Sequence, residues 1–204
     1  MRTTARVTLL GMLHRAWILP VLFCCAPMAS PAAPPFGTGL DGRPVNQLAP
    51  SGSRAVVLFF AASDCPISNR YIPEIERLNQ EFASDGVRFW WVYPNPEDTA
   101  EVVLRHDQQF NLEGHVVLDS QQGLTIMARA RITPEAAVFI PDGAGLREVY
   151  RGRIDNRYLS LGQERPSATR HDLEEAIQAV LLGRPVPAPG GPAVGCSIVP
   201  RNEP

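Results

Sequence analysis

The feature that most constrains the fold is an apolar run, residues 56–62, that stops abruptly before a helix-like segment. The run has the composition of a buried strand, whereas residues 69–83 carry apolar side chains at helical spacing. Cys65 lies at the junction between them. Pro66 suits the first position of a helix, because its missing N–H would have no partner there. The sequence therefore predicts a strand followed by a helix whose N-terminus is capped by Cys65.

A thiol at a helix N-terminus is placed for chemistry. Free backbone N–H groups and the positive end of the helix dipole favour the thiolate, so we expect Cys65 to be nucleophilic at neutral pH. Asp64 opposes ionisation by like-charge repulsion, and the sequence does not give the balance. The alternative is that Cys65 is a small buried apolar residue at a strand end.

Segments of strand composition alternate with segments of helical periodicity through the rest of the chain. The expected elements are strands at 87–93, 115–119, 136–140 and 146–152, and helices at 97–110, 121–130 and 168–182. This order predicts an α/β domain with a mixed central sheet flanked by helices.

The first 32 residues have the pattern of an export signal. Arginines precede a short apolar stretch, and small residues follow it, with cleavage expected after Ala32. The stretch is too short for a bilayer span of ~20 residues. We therefore expect a periplasmic or otherwise extracytoplasmic protein. A lipid anchor on Cys24 or Cys25, or an uncleaved signal, is the only expected route to a membrane.

The mature chain divides into three regions. Residues 33–52 form a lead-in segment, residues 53–184 the α/β domain, and residues 185–204 a tail rich in proline and glycine that carries Cys196. A tail of this composition is not expected to pack into a core.

Composition excludes several functions. The net charge is -2 and the pI about 6.1, which offers no basic surface to nucleic acid. All the basic residues are arginine, so lysine chemistry is excluded. His106, His115 and His171 lack the spacing of metal ligands, and we expect neither a metal nor a cofactor.

The pair Thr133-Pro134, just before a predicted strand, together with Cys65 at a helix start, resembles the thioredoxin superfamily. The resemblance implies a thioredoxin-like fold and a cis Pro134 beside the cysteine, with Thr133 and Pro134 shaping a substrate groove. The alternative is a trans proline before an edge strand. Residues 64–74, 150–158 and 195–198 are similar to exported redoxin-domain proteins of the alkyl hydroperoxide reductase and thiol-specific antioxidant group.

Two departures from these families bear on activity. Ser68 stands where a thioredoxin dithiol has its second cysteine, so the local resolving thiol is missing, although Ser68 could hydrogen-bond the thiolate. Leu58 and Ala62 stand where a typical peroxiredoxin has the proline and threonine that bind the peroxide. Arg70 or Arg131 would have to replace the arginine of that family.

Cys196 is the candidate for the missing partner. Export leaves Cys65 and Cys196 as the only two thiols, in a compartment where disulfides persist. Residues 185–195 could span roughly 30 Å. Cys196 would then resolve the sulfenic acid or mixed disulfide at Cys65. The alternatives are a permanent disulfide that fixes the tail and an unpaired thiol used between molecules.

These observations predict an exported thiol-disulfide oxidoreductase with Cys65 as nucleophile. The expected partners are protein thiols or disulfides, or a hydroperoxide, together with an external thiol reductant. The alternatives are a thiol-dependent peroxidase and a catalytically silent binding module. A copper-delivery function has weak support, because the motif has one cysteine. Arg151, Arg153 and Arg157 are expected to form a solvated face with local ion pairs.

Overall fold

The computed structural model describes residues 34–143 and 145–201; the export signal predicted for residues 1–32 lies outside them. In chain order the elements are β1 (Ala55–Phe60), α1 (Pro66–Phe82), β2 (Val87–Tyr93), α2 (Ala100–Phe110), β3 (His115–Leu118), α3 (Gly123–Ala128), β4 (Ile132–Thr133), β5 (Glu135–Asp142), β6 (Gly145–Gly152), β7 (Tyr158–Ser160), β8 (Gln163–Glu164), α4 (Asp172–Leu181) and β9 (Cys196–Ser197).

The central sheet has five strands in the order β3-β2-β1-β5-β6. β1 pairs in parallel with β2, and β2 with β3, whereas β5 and β6 run antiparallel to their neighbours. All six residues of β1 are buried, as a central strand covered on both faces requires. The predicted mixed sheet is confirmed.

Helices cover both faces of this sheet. On one face, α1 and α4 pack their apolar stripes, including Ile75, Leu78 and Ile177, against alternate residues of β1 and β2. On the other face, Leu124 and Ala128 of α3 pack against the remaining residues of the same strands. This is the α/β thioredoxin-like fold, and it places the end of β1 and the start of α1 at one edge of the sheet.

Three predicted helices begin later than expected, among them α3, which starts at Gly123 rather than at residue 121. α2 starts at Ala100 rather than at residue 97, because the Thr99 side chain caps it by accepting from the Val102 backbone N–H at 3.4 Å. α4 starts at Asp172 rather than at residue 168. Thr169 is held outside that helix, since its backbone N–H and hydroxyl both bond the amide of Asn156 at 2.8 Å.

The tail packs more closely than its composition indicates. Val186 packs against the α1 and α4 core, and Ile198 is buried in the core on the other face. Cys196–Ser197 adds a two-residue strand, β9, antiparallel to β4. The expectation that the tail does not pack into a core is therefore wrong. Its proline and glycine residues prevent regular structure, but they do not prevent single apolar side chains from docking.

Within the described ranges, none of the helices combines the length and the apolar character that crossing a bilayer would require.

Candidate active site

The two cysteines of the described chain meet at the edge of the sheet. Cys65 is the N-cap residue of α1, with Pro66 as the first helical residue, as the sequence predicts. Its sulfur lies 2.7 Å from the sulfur of Cys196, which is 131 residues away in the sequence. Both are free thiols; Cys65 is buried, with a relative exposure of 1%, whereas Cys196 is exposed.

The pKa values of the two thiols move in opposite directions. Burial raises the pKa of Cys65, but hydrogen bonds from the Cys196 thiol and from the backbone N–H and hydroxyl of Ser68 outweigh it, so the pKa is lowered. Burial of the Cys196 sulfur, its hydrogen bond to Cys65 and the charge of Asp64 raise the pKa of Cys196. The pair titrates as a unit, and its first ionisation belongs mainly to Cys65.

Thr133 and Pro134 form the wall beside Cys65. The Thr133-Pro134 peptide bond is cis, and the carbonyl oxygen of Thr133 lies 3.2 Å from the sulfur of Cys65. Thr133 also pairs with Cys196 across the β4–β9 bridge. The same residue therefore contacts the sulfur of Cys65 through its carbonyl oxygen and the backbone of Cys196 through the strand pairing.

The tail is fixed on both sides of Cys196. Upstream, the backbone N–H of Gly190 donates to Asp172 at 2.7 Å, and Asp172 also accepts from Arg153 at 2.8 Å. Downstream, the side chain of Gln122 donates to the carbonyl of Val199 at 2.7 Å and accepts from the Arg201 backbone N–H at 3.0 Å. We call residues 190–201 the strap, because they cross the site between two anchored ends.

Ser68 lies beneath Cys65 on the first turn of α1. It is buried, and its hydroxyl has no hydrogen-bond partner of ordinary geometry among the described residues. The hydroxyl therefore contributes less to the low pKa of Cys65 than the Cys196 thiol and the Ser68 backbone N–H do. The hydrogen bond from the Ser68 hydroxyl to the thiolate stays a prediction.

A polar network that the sequence analysis missed supports the loop before Cys65. The side chain of Asn69 donates to the carbonyl of Ser63 at 3.1 Å, and its oxygen lies 2.8 Å from Nε2 of His106. Tyr93 bonds the other ring nitrogen of His106 at 2.9 Å. Burial lowers the pKa of His106, so the ring is neutral and carries its proton on Nε2. Asn69 follows Cys65 by four residues, and that helical spacing was a usable signal.

An acidic cavity adjoins Cys196, the exposed cysteine of the pair. It has a volume of about 330 Å³ and is lined by Ala62, Asp64, Asn95, Glu97, Asp98, Cys196, Ser197 and Val199. Asp98 accepts from both the backbone N–H and the hydroxyl of Ser63. Burial raises the pKa of Asp98, and the charges of Asp64 and Glu97 add to the shift. From the sequence we expected the charge of Asp64 to raise the pKa of Cys65. In the structure this charge contributes to the raised pKa of Cys196.

Four of the arginines considered in the sequence analysis form ion pairs with nearby carboxylates. Arg151 pairs with Glu135 at 3.3 Å, Arg153 with Asp172 at 2.8 Å and Arg157 with Glu164 at 3.5 Å. The predicted local ion pairs are present, but Arg153 is mostly buried and not part of a solvated face. Arg70, a proposed peroxide ligand, pairs with Glu164 at 3.1 Å.

One cluster has the donor set of a metal site. Glu74, His171 and Glu174 place their ligand atoms within 4.8 Å of one another. The guanidinium of Arg77 donates to Glu74 at 2.8 Å and to Glu174 at 2.5 Å. Because this cation already bonds both carboxylates, the cluster is a salt-bridge network that joins α1 to α4.

Comparison with known proteins agrees with this fold. The Redoxin family profile matches residues 28–157, which is more than half of the chain. No protein with a curated description matches. A crystal structure of an uncharacterized conserved protein from Geobacillus kaustophilus is 28% identical, with a TM-score of 0.68 over 85% of this chain and 92% of that one.

Two further structures are more distant. The hypothetical protein SMc02350 from Sinorhizobium meliloti 1021 is 22% identical, with a TM-score of 0.66 over 82% of this chain and 91% of its own. A secreted Mycobacterium tuberculosis disulfide oxidoreductase, described as homologous to E. coli DsbE, is 16% identical, with a TM-score of 0.47 over 72% of this chain and 93% of its own. That last likeness is too low to support an argument. The family match over residues 28–157 shows that this chain belongs to the redoxin family of the thioredoxin-like superfamily.

Proposed function

We propose that this redoxin-family protein is an exported thiol-disulfide oxidoreductase whose redox couple is Cys65 and Cys196. The observation that carries the proposal is the distance of 2.7 Å between two sulfurs that are 131 residues apart. A tail anchored on both sides of Cys196 has no other evident reason to bring that residue to the N-terminus of α1.

The surroundings of Cys65 support a redox function rather than a packing function. A buried apolar cysteine has a raised pKa, whereas here the pKa is lowered by the neighbouring thiol and by Ser68. Cys65 is the nucleophile of the internal step, in which its thiolate attacks Cys196 of a mixed disulfide with the partner and the partner sulfur leaves as a thiolate. Thr133 and Pro134 form the wall of the reacting pair, and Cys196 supplies the second thiol that position 68 lacks.

Export supports the same function. The signal pattern of residues 1–32 would deliver the protein to an oxidising compartment, where the Cys65–Cys196 bond persists until a thiol reductant opens it. The motif over residues 64–74 supports a place beside the exported alkyl hydroperoxide reductase and thiol-specific antioxidant group. Leu58 and Ala62 are buried and apolar, so they offer no hydroxyl to a peroxide, and disulfide exchange is the reaction that the geometry supports best.

The test combines thiol counting with activity. The reduced protein is exposed to a small disulfide and, separately, to hydrogen peroxide, then alkylated and weighed intact. We expect both thiols to disappear together, faster with the disulfide than with the peroxide. Cys65→Ser and Cys196→Ser should each abolish catalytic reduction of a disulfide. Two free thiols under every oxidant would overturn the couple, and unchanged partner binding without activity in any form would indicate a silent binding module.

A further inference from the structure

We propose that external partners exchange with the sulfur of Cys196 and that Cys65 bonds only to Cys196. This inference rests on the redox couple proposed above and names the sulfur at which that couple meets its substrate. It reverses the order expected from the sequence, in which Cys65 attacks the partner and Cys196 follows.

The first argument is access. Cys65 has a relative exposure of 1% and lies under the strap, between Thr133 and Cys196. Cys196 is exposed, and it lines the cavity of about 330 Å³ beside Asp64 and Asn95. Cys65 is not among the residues that line that cavity. A partner sulfur can therefore approach Cys196 from the cavity while the strap stays in place.

The second argument is the anchoring of the strap. To expose Cys65, the protein would have to break the β4–β9 pairing and withdraw Ile198 from the core. It would also have to release the bonds of Val199 to Asn95 and Gln122, which measure 3.0 and 2.7 Å. Breaking these hydrogen bonds and exposing an isoleucine side chain to water both cost free energy. Opening of the strap to expose Cys65 is therefore disfavoured, whereas exchange at Cys196 leaves these contacts intact.

The third argument is the chemistry of the leaving group. A partner thiolate attacks the Cys196 sulfur of the internal disulfide, a new partner–Cys196 bond forms, and the electron pair of the old bond leaves on Cys65. A thiol of lower pKa leaves faster, and the backbone N–H of Ser68, which lowers the pKa of Cys65, remains a donor when Cys196 is bonded to the partner. Attack on Cys65 would instead expel Cys196, whose pKa is raised by burial and by the charge of Asp64.

The cycle closes with a second thiol. A second partner thiolate attacks the partner sulfur of the mixed disulfide, a partner disulfide forms, and Cys196 leaves as a thiolate that takes a proton from water. Two thiols have then been oxidised to one disulfide, and the internal disulfide has been reduced to two thiols. In the opposite direction, Cys196 attacks a partner disulfide, and the Cys65 thiolate then attacks Cys196 and releases the second partner thiol.

Single-cysteine variants test the assignment. Cys65→Ser retains Cys196, and Cys196→Ser retains Cys65 under a strap of the same shape. Each is reacted with the neutral reagent 4,4'-dithiodipyridine, in buffer and in denaturant, and thiopyridone release is followed. We expect the native fold to slow Cys65 by at least about tenfold relative to the unfolded chain, and to slow Cys196 by no more than about threefold.

A second measurement uses the unmodified site. The oxidised wild-type protein is mixed with 2-mercaptoethanol, quenched in acid within milliseconds, alkylated and mapped by peptide mass. We expect the trapped mixed disulfide on Cys196 and the alkyl group on Cys65.

A mixed disulfide on Cys65, or a native Cys65 that reacts as fast as the unfolded one, would overturn this assignment and leave the redox couple standing. Failure of the wild-type protein to form the internal disulfide would overturn the couple itself, so the two failures are distinguishable.

Discussion

Asp64 adds to the effect of burial and of the Cys65 thiol on the pKa of Cys196. It is exposed and lines the same cavity as Cys196, and its charge contributes to the raised pKa of that thiol. Glu97 and Asp98 add negative charge to the walls. If partners arrive at Cys196, this rim favours thiols that carry a positive group.

Thiol reagents of opposite charge therefore test whether the acidic rim of the cavity affects the rate of exchange. Compared at equal thiolate concentration, 2-aminoethanethiol should reduce the oxidised protein about two- to fivefold faster than 2-mercaptoethanesulfonate, the range expected for one screened surface charge. Asp64→Asn should narrow this ratio, and Asp41→Asn, outside the cavity, should leave it unchanged. The readout is the rate at which free protein thiols appear. Equal rates for both reagents in the wild-type protein would contradict an acidic approach.

Glu76 gives a pH-dependent contribution to stability. Burial raises the pKa of Glu76 to about 7, although the backbone N–H of Glu113 donates to it at 2.8 Å. The unfolded value is about 4.3. Because the folded pKa is the higher one, the stability contributed by the protonated carboxyl is fully present below about pH 4.3 and is lost as the pH rises through 7.

Replacing this carboxyl by an amide keeps the acceptor and removes the charge. Glu76→Gln should raise the free energy of unfolding at pH 8 by about 1 kcal/mol, after allowance for solvent screening, and should change it little at pH 4. Urea unfolding at the two pH values measures the difference. Glu101→Gln, on the exposed side of α2, is the matched control. An equal gain at both pH values would show that ionisation of Glu76 is not the cause.

The pairing of β9 with β4 is the element that sets the geometry of the site. Gly195 lies against Thr133 so closely that a Cβ at position 195 would overlap the carbonyl oxygen of that residue. Only glycine fits this approach without moving the strand. The two-residue bridge is short, and its position depends on the anchors on either side of it.

A methyl group at position 195 should therefore displace Cys196 from Cys65. We expect Gly195→Ala to slow formation of the internal disulfide by at least about tenfold, because a misplacement of about 1 Å costs roughly that much or more in an oriented reaction. Ala188→Ser, an exposed change in the same tail, should have no effect. The rate is measured by thiol trapping after addition of an oxidant. If Gly195→Ala formed the internal disulfide at the wild-type rate, β9 would not be the element that positions the sulfur of Cys196.

At the scale of the whole molecule, the couple links redox state to stability. A disulfide between residues 131 positions apart closes most of the domain, and in the chain-entropy model such a loop contributes about 3 to 5 kcal/mol. The oxidised protein should unfold at a correspondingly higher urea concentration than the reduced protein. Cys196→Ser should behave alike with and without reductant. Equal stability of the two wild-type forms would contradict an internal disulfide.

Export is the second prediction at this scale. The full-length protein, expressed in a bacterium with an active secretion pathway, should accumulate outside the cytoplasm with an N-terminus at Ala33. N-terminal sequencing and cell fractionation provide the measurement. A charged residue introduced into the apolar stretch, as in Leu22→Arg, should retain the protein in the cytoplasm. A wild-type chain that keeps Met1 and stays in the cytoplasm would contradict the predicted export signal.

Local signals determined the fold and one half of the site. The buried run before Cys65, the proline after it and the helical spacing of Ile72, Ile75 and Leu78 act through nearest neighbours, and the structure confirms the strand and helix that they predict. Helix starts were less well predicted. The local cap of α2 by Thr99 was overlooked, and the start of α4 depends on Asn156, which holds Thr169 outside the helix from 13 residues away.

The tertiary structure decided the other half of the site. Nothing local to Cys196 fixes its distance from Cys65; that depends on Asp172, Gln122 and the edge of β4, which are remote from the tail in sequence. Exposure and pKa are properties of the assembled surroundings, so only the folded chain shows which thiol is buried and which is accessible. The sequence by itself determined that a cysteine stands at a helix start, because that pattern is local. The folded structure decided that the sulfur of Cys196 lies beside that of Cys65, because contacts between distant segments are not encoded by residue spacing.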